Sequence, residues 1–276
     1  MSDVPPFVSA DWLATAAPPP VLVDLRWSLD GSLGRRDYLE GHLPGAVYLD
    51  LDTVAAGSAT PEGGRHPLPA PEVFAATVGD LGIGDDAVVV AYDQGPGVIA
   101  ARIVWMFRAI GQPAAVLDGG LPAWTGPLEA GEVTRPPVIR AVRDWPTDRL
   151  ADADLTASVA SRGDGVVLDA REPGRFTGET EPVDPRPGHI PGAVNLPFTD
   201  NLDGSGRLRD RASLSERYAA TGALDAVEVV AYCGSGVTAC HDLLVLEQFG
   251  VRGRLFPGSW SAWSADPQRE AATGTG

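Results

Sequence analysis

The chain is written twice. "VLVDLRW" at Val21–Trp27 is answered by "VVLDARE" at Val166–Glu172, and "GHLPGAVYL" at Gly41–Leu49 by "GHIPGAVNL" at Gly188–Leu196. "VVVAYD", ending at Asp93, parallels "EVVAYC", ending at Cys233, and "DGGLPAW", ending at Trp124, parallels "PGSWSAW", ending at Trp263. Matched stations in one order at a shared displacement of roughly 140 residues require a duplicated domain. Within each copy, apolar β-branched runs (Val21–Asp24, Ala87–Tyr92, Val166–Asp169, Val227–Tyr232) alternate with helical patterns. The patterns "VIAARIVWMFRAIG" and "TACHDLLVLEQFG" each end at a glycine suited to closing a helix. Strands apolar on both faces, alternating with helices, predict an α/β fold: two tandem units, each a mainly parallel sheet flanked by helices. The expected boundaries are a first domain over 1–128, a proline-marked linker over 129–148 and a second domain over 149–276.

The duplication isolates one conspicuous difference. Where the first copy places Asp93 at the end of its strand, the second places Cys233, one of only two cysteines. It is followed by Gly234-Ser235-Gly236-Val237-Thr238 and then a helix. The carboxyl edge of a parallel sheet is where ligand sites gather in such folds. A loop of small residues can curl its backbone N–H groups inward, and the helix N-terminus adds partial positive charge. Such a cradle lowers a thiol pKa from about 8.5 and can hold an anionic sulfur after reaction. Cys240 shares a helix face with Leu243 and Leu244 and is expected to pack in the core. A phosphatase would also put a cysteine in this place, but it needs an arginine six positions on, and position 239 is Ala239.

Composition removes other classes. The formal charge is -16, which opposes a phosphate backbone, so no nucleic-acid partner is expected. All 21 basic side chains are arginine, which excludes a Schiff-base lysine, a P-loop lysine and lysine-anchored pyridoxal phosphate. Two cysteines without a C-x-x-C pair make neither a disulfide framework nor a zinc site, so no metal is expected. No stretch is apolar enough to span a bilayer, and the opening "MSDVPPFVSADWL" lacks a secretory pattern; no membrane partner and a cytoplasmic location are expected.

With "D-x-R", "H-[IL]-PGA", "GSW" and "CGSGVTA" in place, the chain resembles, over essentially its whole length, the tandem-domain sulfurtransferases of the rhodanese superfamily. The loop is most similar to that of the 3-mercaptopyruvate-using branch. Thiosulfate-preferring members carry arginine and lysine where this chain has Gly234 and Ser235. The resemblance implies two rhodanese-like domains, the first inactive, since a carboxylate at Asp93 cannot accept sulfane sulfur. The implied reaction moves sulfur from a small-molecule donor to a persulfide on Cys233, then to a thiol acceptor such as thioredoxin or to cyanide, with no cofactor. The alternatives are a thiosulfate:cyanide sulfurtransferase and a non-catalytic persulfide carrier or binding module.

The resemblance also implies roles for side chains. Ser235, His66 and Asp52 form a proton relay beside Cys233, with Asp50 as a competing choice for the carboxylate. Arg175 and Arg186 clamp the donor's carboxylate and carbonyl, and Gly234, Gly236, Val237 and Thr238 supply the loop around the substrate. His42 and His189 recur in both "H-x-PGA" turns and are expected to be structural. Arg171, repeated by Arg26, is expected to brace the sheet edge, and His241 to sit on the surface in the first helical turn. Pro257 stands where an aspartate is common before "GSW", a change expected to affect loop shape alone.

Overall fold

The structure, a computed structural model, describes residues 4–28 and 30–275. It contains two compact units. The first gathers the described residues of Met1–Gly57, Leu68–Trp145 and Gly204–Arg207, and the second those of Ser58–Pro67, Pro146–Asp203 and Leu208–Gly276. Each unit therefore includes a short segment from the opposite half of the sequence, which the repeat boundaries alone do not foretell.

Unit 1 carries strands β1 (Phe7–Val8), β2 (Val21–Asp24), β3 (Val47–Tyr48), β4 (Val89–Tyr92) and β5 (Ala114–Leu117), with helices α1 (Ala10–Thr15), α2 (Arg35–Glu40), α3 (Pro71–Asp80) and α4 (Ala100–Ala109). Its sheet runs β1-β5-β4-β2-β3, and every pair is parallel. Unit 2 repeats the plan with β6 (Gly165–Asp169), β7 (Val194–Asn195), β8 (Glu228–Tyr232) and β9 (Arg254–Leu255), in the order β7-β6-β8-β9. These pairs are also parallel. Its helices are α5 (Ala153–Ser161), α6 (Pro173–Thr177), α7 (Arg211–Ala220), α8 (Ala239–Gln248) and α9 (Ser259–Ala265). The apolar runs are apolar because they are central: Val89 to Tyr92 in β4 and Val230 to Tyr232 in β8 are wholly buried. In unit 2, Val230 and Tyr232 pack with Phe176, Ile190, Phe256, Trp260 and Trp263 into one core.

The repeated motifs are repeated hydrogen-bond devices. Asp24 receives Nε and Nη2 of Arg26 at 3.0 and 2.8 Å on one carboxylate oxygen, and Arg26 also donates to the Gly41 carbonyl at 2.6 Å. Asp169 and Arg171 do the same, with Arg171 Nη2 donating to Asp169 at 2.6 Å and to the Gly188 carbonyl at 2.7 Å. Arg171 thus braces the end of β6 to the "H-I-PGA" turn. The tyrosines closing β4 and β8 accept the N–H groups of Leu43 and Ile190 at 3.0 and 3.1 Å. His42 and His189 each bring Nδ1 to 2.8 Å from a carbonyl, of Tyr38 and Phe176, and stack on the same residues' rings. These histidines are turn residues.

Asp169 is fully buried and Arg171 is 3% exposed. Removing one partner of such a pair leaves an uncompensated buried charge. Asp169→Ala is expected to destabilise unit 2 by about 3–5 kcal/mol, read as a lower urea midpoint by circular dichroism; a change within experimental error would contradict the assigned bracing role.

Candidate active site

The strand β8 delivers Cys233 to the carboxyl edge of the unit 2 sheet, between Tyr232 and the loop that opens α8. The thiol is 2% exposed, and the Gly236 N–H donates to its Sγ at 3.1 Å. Gly236 has φ 77°, and a β-carbon there would lie 2.7 Å from the Pro257 carbonyl oxygen, so only glycine makes this turn. Cys240 is fully buried, as packing required, and its thiol donates to the Gly236 carbonyl at 3.3 Å.

The "GSW" segment fixes the loop from the other side. Ser259 Oγ accepts the Cys233 N–H at 3.2 Å and donates to the Phe256 carbonyl at 2.9 Å. Trp260 N–H donates to the Cys233 carbonyl at 3.0 Å, and Ser261 N–H to the Gly234 carbonyl at 2.9 Å. Ser259 does this from φ 52°, a left-handed conformation uncommon for residues other than glycine and frequent where a site is held under strain. Sequence reading named "GSW" as a landmark without assigning it this function. The signal available was the position of a serine inside a motif repeated from "GGLPAW".

The corresponding loop of unit 1 displays what such a backbone holds. Asp93 is 4% exposed, yet its carboxylate accepts N–H bonds from Gly95 and Gly97, both at 2.9 Å, and from Ile99 and Ala100 at 2.8 and 3.1 Å. Burial pushes its pKa up, while these four donors pull the other way. Gly97 and Gly236 are equivalent glycines, each one residue before a valine, and both donate to the side chain at the end of the strand.

The segment Ser58–Pro67, which lies in the first half of the sequence, packs in unit 2. Gly64, at φ 75°, lies against α9, where a β-carbon would meet the Gly258 carbonyl oxygen at 2.4 Å. Arg65 N–H donates to Ser261 Oγ at 3.1 Å. His66 follows, its Nδ1 at 2.8 Å from Ser235 Oγ, so the structure brings these two candidates together. Asp52 belongs to unit 1, where its Oδ2 accepts the Trp27 indole N–H at 2.9 Å. Asp50 caps the same turn by accepting the N–H groups of Asp52 and Thr53.

The two nominated arginines part company. Arg175 approaches the loop: its Nη1 lies 3.3 Å from the place of a β-carbon on Gly234. It is held there by Glu181 at 2.6 Å and Asp184 at 2.9 Å. Arg186 instead gives Nε, Nη1 and Nη2 to the carbonyls of Ser264, Arg269, Trp263 and Asp266, at 2.7–2.9 Å. Four of its five N–H donors are thereby spent on tying down the end of α9. The second guanidinium at the loop belongs to Arg65, whose Nη2 lies 3.0 Å from the Gly234 β-carbon position and whose Nη1 pairs with Asp184. Sequence reading missed Arg65 because it precedes His66 in a segment with no repeat partner.

His241 corrects another expectation: it is fully buried, because α8 is interior all round from Ala239 to Leu246, eight of its ten residues. Burial lowers its pKa to about 4. Next to it, burial raises the pKa of Asp242 to about 7, against hydrogen bonds from Asn201 and Tyr218 to its Oδ1 at 2.7 and 3.0 Å.

The signature described as Rhodanese-like domain matches residues 9–127 and 152–266. The chain belongs to the rhodanese-like family. It is 43% identical over 264 residues to the probable 3-mercaptopyruvate sulfurtransferase of Pseudomonas aeruginosa, covering 92% of each chain. It is 41% identical over 266 residues to the putative thiosulfate sulfurtransferase SseB of Mycobacterium tuberculosis, covering 94% of this chain and 93% of that one. Among solved structures, the 3-mercaptopyruvate sulfurtransferase SseA of Escherichia coli superposes with a TM-score of 0.79 at 33% identity, over 93% of this chain and 99% of that one. With these rhodanese-like relatives the chain shares the general activity of a sulfurtransferase enzyme. Among the described residues no helix is long and apolar enough to cross a membrane.

The buried pair in α8 gives a pH test. Between about pH 4 and 6.5, folded Asp242 keeps a proton that the unfolded chain has lost, so this group makes stability fall as pH rises. Over the same window folded His241 lacks a proton that the unfolded chain binds, so this group makes stability rise with pH. The two slopes offset. Asp242→Asn leaves His241 alone, and its urea midpoint is expected to fall more steeply than that of the unsubstituted protein as pH drops from 6.5 to 4. The slope difference approaches about 1.4 kcal/mol per pH unit at most; parallel profiles would contradict it.

Proposed function

We propose that unit 2 transfers sulfane sulfur from 3-mercaptopyruvate to a thiol or to cyanide through a persulfide on Cys233, releasing pyruvate. The observation that carries this reading is the correspondence of Cys233 with Asp93. One bond beyond a cysteine sulfur, the outer atom of a persulfide reaches about as far from the backbone as an aspartate oxygen. In unit 1 that place is a nest of four N–H donors. The equivalent donors in unit 2 are Gly236, Thr238 and Ala239, the last opening α8, and an anionic sulfur there gains both hydrogen bonds and the helix N-terminus.

In the first step the Cys233 sulfur attacks the donor sulfur. An S–S bond forms as the donor's C–S bond breaks, and the electron pair of the C–S bond passes to the carbon, giving the enolate of pyruvate. Protonation of that enolate completes the product. When His66 Nδ1 donates its proton to Ser235 Oγ, the serine hydroxyl is left to donate to the developing enolate oxygen. Arg175 binds the donor's carboxylate, a task its planar fork suits. In the second step an acceptor thiolate, on a protein such as thioredoxin or on a small thiol, attacks the outer sulfur and Cys233 departs as thiolate. In this reading the protein works in the cytoplasm.

Thiosulfate is the second donor to consider. It is supported by the name of the Mycobacterium relative and by the two guanidinium groups near Gly234, which suit a dianion. Initial rates with the two donors decide between them: the proposal expects the larger kcat/KM with 3-mercaptopyruvate, and a wide margin for thiosulfate would replace it.

Mixing the protein with 3-mercaptopyruvate in the absence of acceptor is expected to add one sulfur to its intact mass, and Cys233→Ser to abolish the gain. His66→Ala is expected to slow this loading by about 10²–10⁴-fold, the range for loss of a general acid–base group. Equal loading of the Cys233→Ser protein would place the chemistry elsewhere.

A further inference from the structure

His66 and Ser235 are 169 residues apart in the chain, yet their side chains meet at 2.8 Å. Such a contact needs a common reference, and the first turn of α9 supplies one. Ser261, the third residue of that helix, is buried. Its N–H donates to the carbonyl of Gly234 at 2.9 Å, and Gly234 is the residue before Ser235. Its Oγ accepts the N–H of Arg65 at 3.1 Å, and Arg65 is the residue before His66. The hydroxyl proton goes to the Gly258 carbonyl at 2.9 Å, which leaves the lone pairs of the oxygen to face Arg65. One residue therefore grips the main chain immediately ahead of each member of the pair. The segment Ser58–Pro67 fits closely there: a β-carbon on Gly64 would stand 2.5 Å from Ser261 Oγ and 2.4 Å from the Gly258 carbonyl oxygen.

We infer that Ser261 is a positioning residue for sulfur transfer: it sets the approach of His66 to Ser235 by holding Arg65 and Gly234 at once. This rests on the sulfur-transfer reading above, in which His66 and Ser235 serve the protonation of the departing enolate. Ser261 acts through that pair. Its two bonds are separable, because the one to Gly234 comes from the backbone N–H and survives a change to alanine, whereas the one from Arg65 needs the hydroxyl. Ser261→Ala thus leaves the Cys233 loop held and loosens the His66 side of the contact. The ion pair between Arg65 and Asp184 keeps the segment in place, so the expected change is a displacement of His66 and not its loss. Proton transfer is sensitive to such a shift, since a misplacement of about 1 Å can cost about 10²-fold in rate.

The test is single-turnover loading of Cys233 at saturating 3-mercaptopyruvate, followed by intact mass, so that donor affinity does not enter. Discharge of the loaded protein to cyanide is measured alongside. Ser261→Ala is expected to slow loading by about 10- to 100-fold and to leave discharge unaltered, because cyanide attack on the outer sulfur produces no enolate. In a His66→Ala background the same substitution should slow loading no further, since the two changes remove one function. Gly64→Ala, which presses on the Ser261 hydroxyl while that residue is intact, should give the same loss, again absent without His66. It carries the test by itself if Ser261→Ala does not fold. Unchanged loading in Ser261→Ala overturns the inference, as does equal slowing with and without His66, or slowed discharge, each the mark of a merely structural residue. If the unsubstituted protein gains no sulfur from 3-mercaptopyruvate, the proposed function itself fails and this inference falls with it.

Discussion

A parallel strand that turns straight into a helix leaves several main-chain N–H groups pointing at one small volume, and buried N–H groups must be answered. Everything else at this site is arranged around that requirement. In unit 1 the answer is permanent: the Asp93 carboxylate accepts four of them. In unit 2 the strand ends on a sulfur that accepts the Gly236 N–H at 3.1 Å. The two loops are alternative solutions to one problem, a resident carboxylate in the first and a sulfur in the second. Burial sharpens the contrast, because a low local dielectric strengthens the hold on a paired anion and penalises an unpaired one.

The loop can serve this purpose only if it keeps its curl. Ser259, Trp260 and Ser261 hold both the N–H and the carbonyl of Cys233 and the carbonyl of Gly234. Asp169 with Arg171 and Tyr232 with Ile190 hold the sheet edge beneath. The left-handed backbone of Ser259 is the local cost of this arrangement, borne where Cys233 is held.

The fold was legible because periodicity and repetition are local or self-referential signals. The runs at Ala87–Tyr92 and Val227–Tyr232 announced central strands, and Asp93 against Cys233 marked where the two copies differ. His66 with Ser235 was legible through resemblance. Arg65 was not, because its placement depends on a segment that packs away from its sequence neighbours, and no pattern along the chain records that. Arg186 misled for a related reason: a plausible spacing does not say which acceptors a guanidinium meets first, and here four backbone carbonyls claim it. His241 misled because position in a first turn implies exposure only when the helix has an outer face, and α8 is enclosed there.

The ten residues from Ser58 to Pro67 give the duplication a one-way character. A polypeptide divided at the join between the copies would keep Cys233 in its later piece and lose both Arg65 and His66 with the earlier one. Neither piece alone would then bring His66 to Ser235.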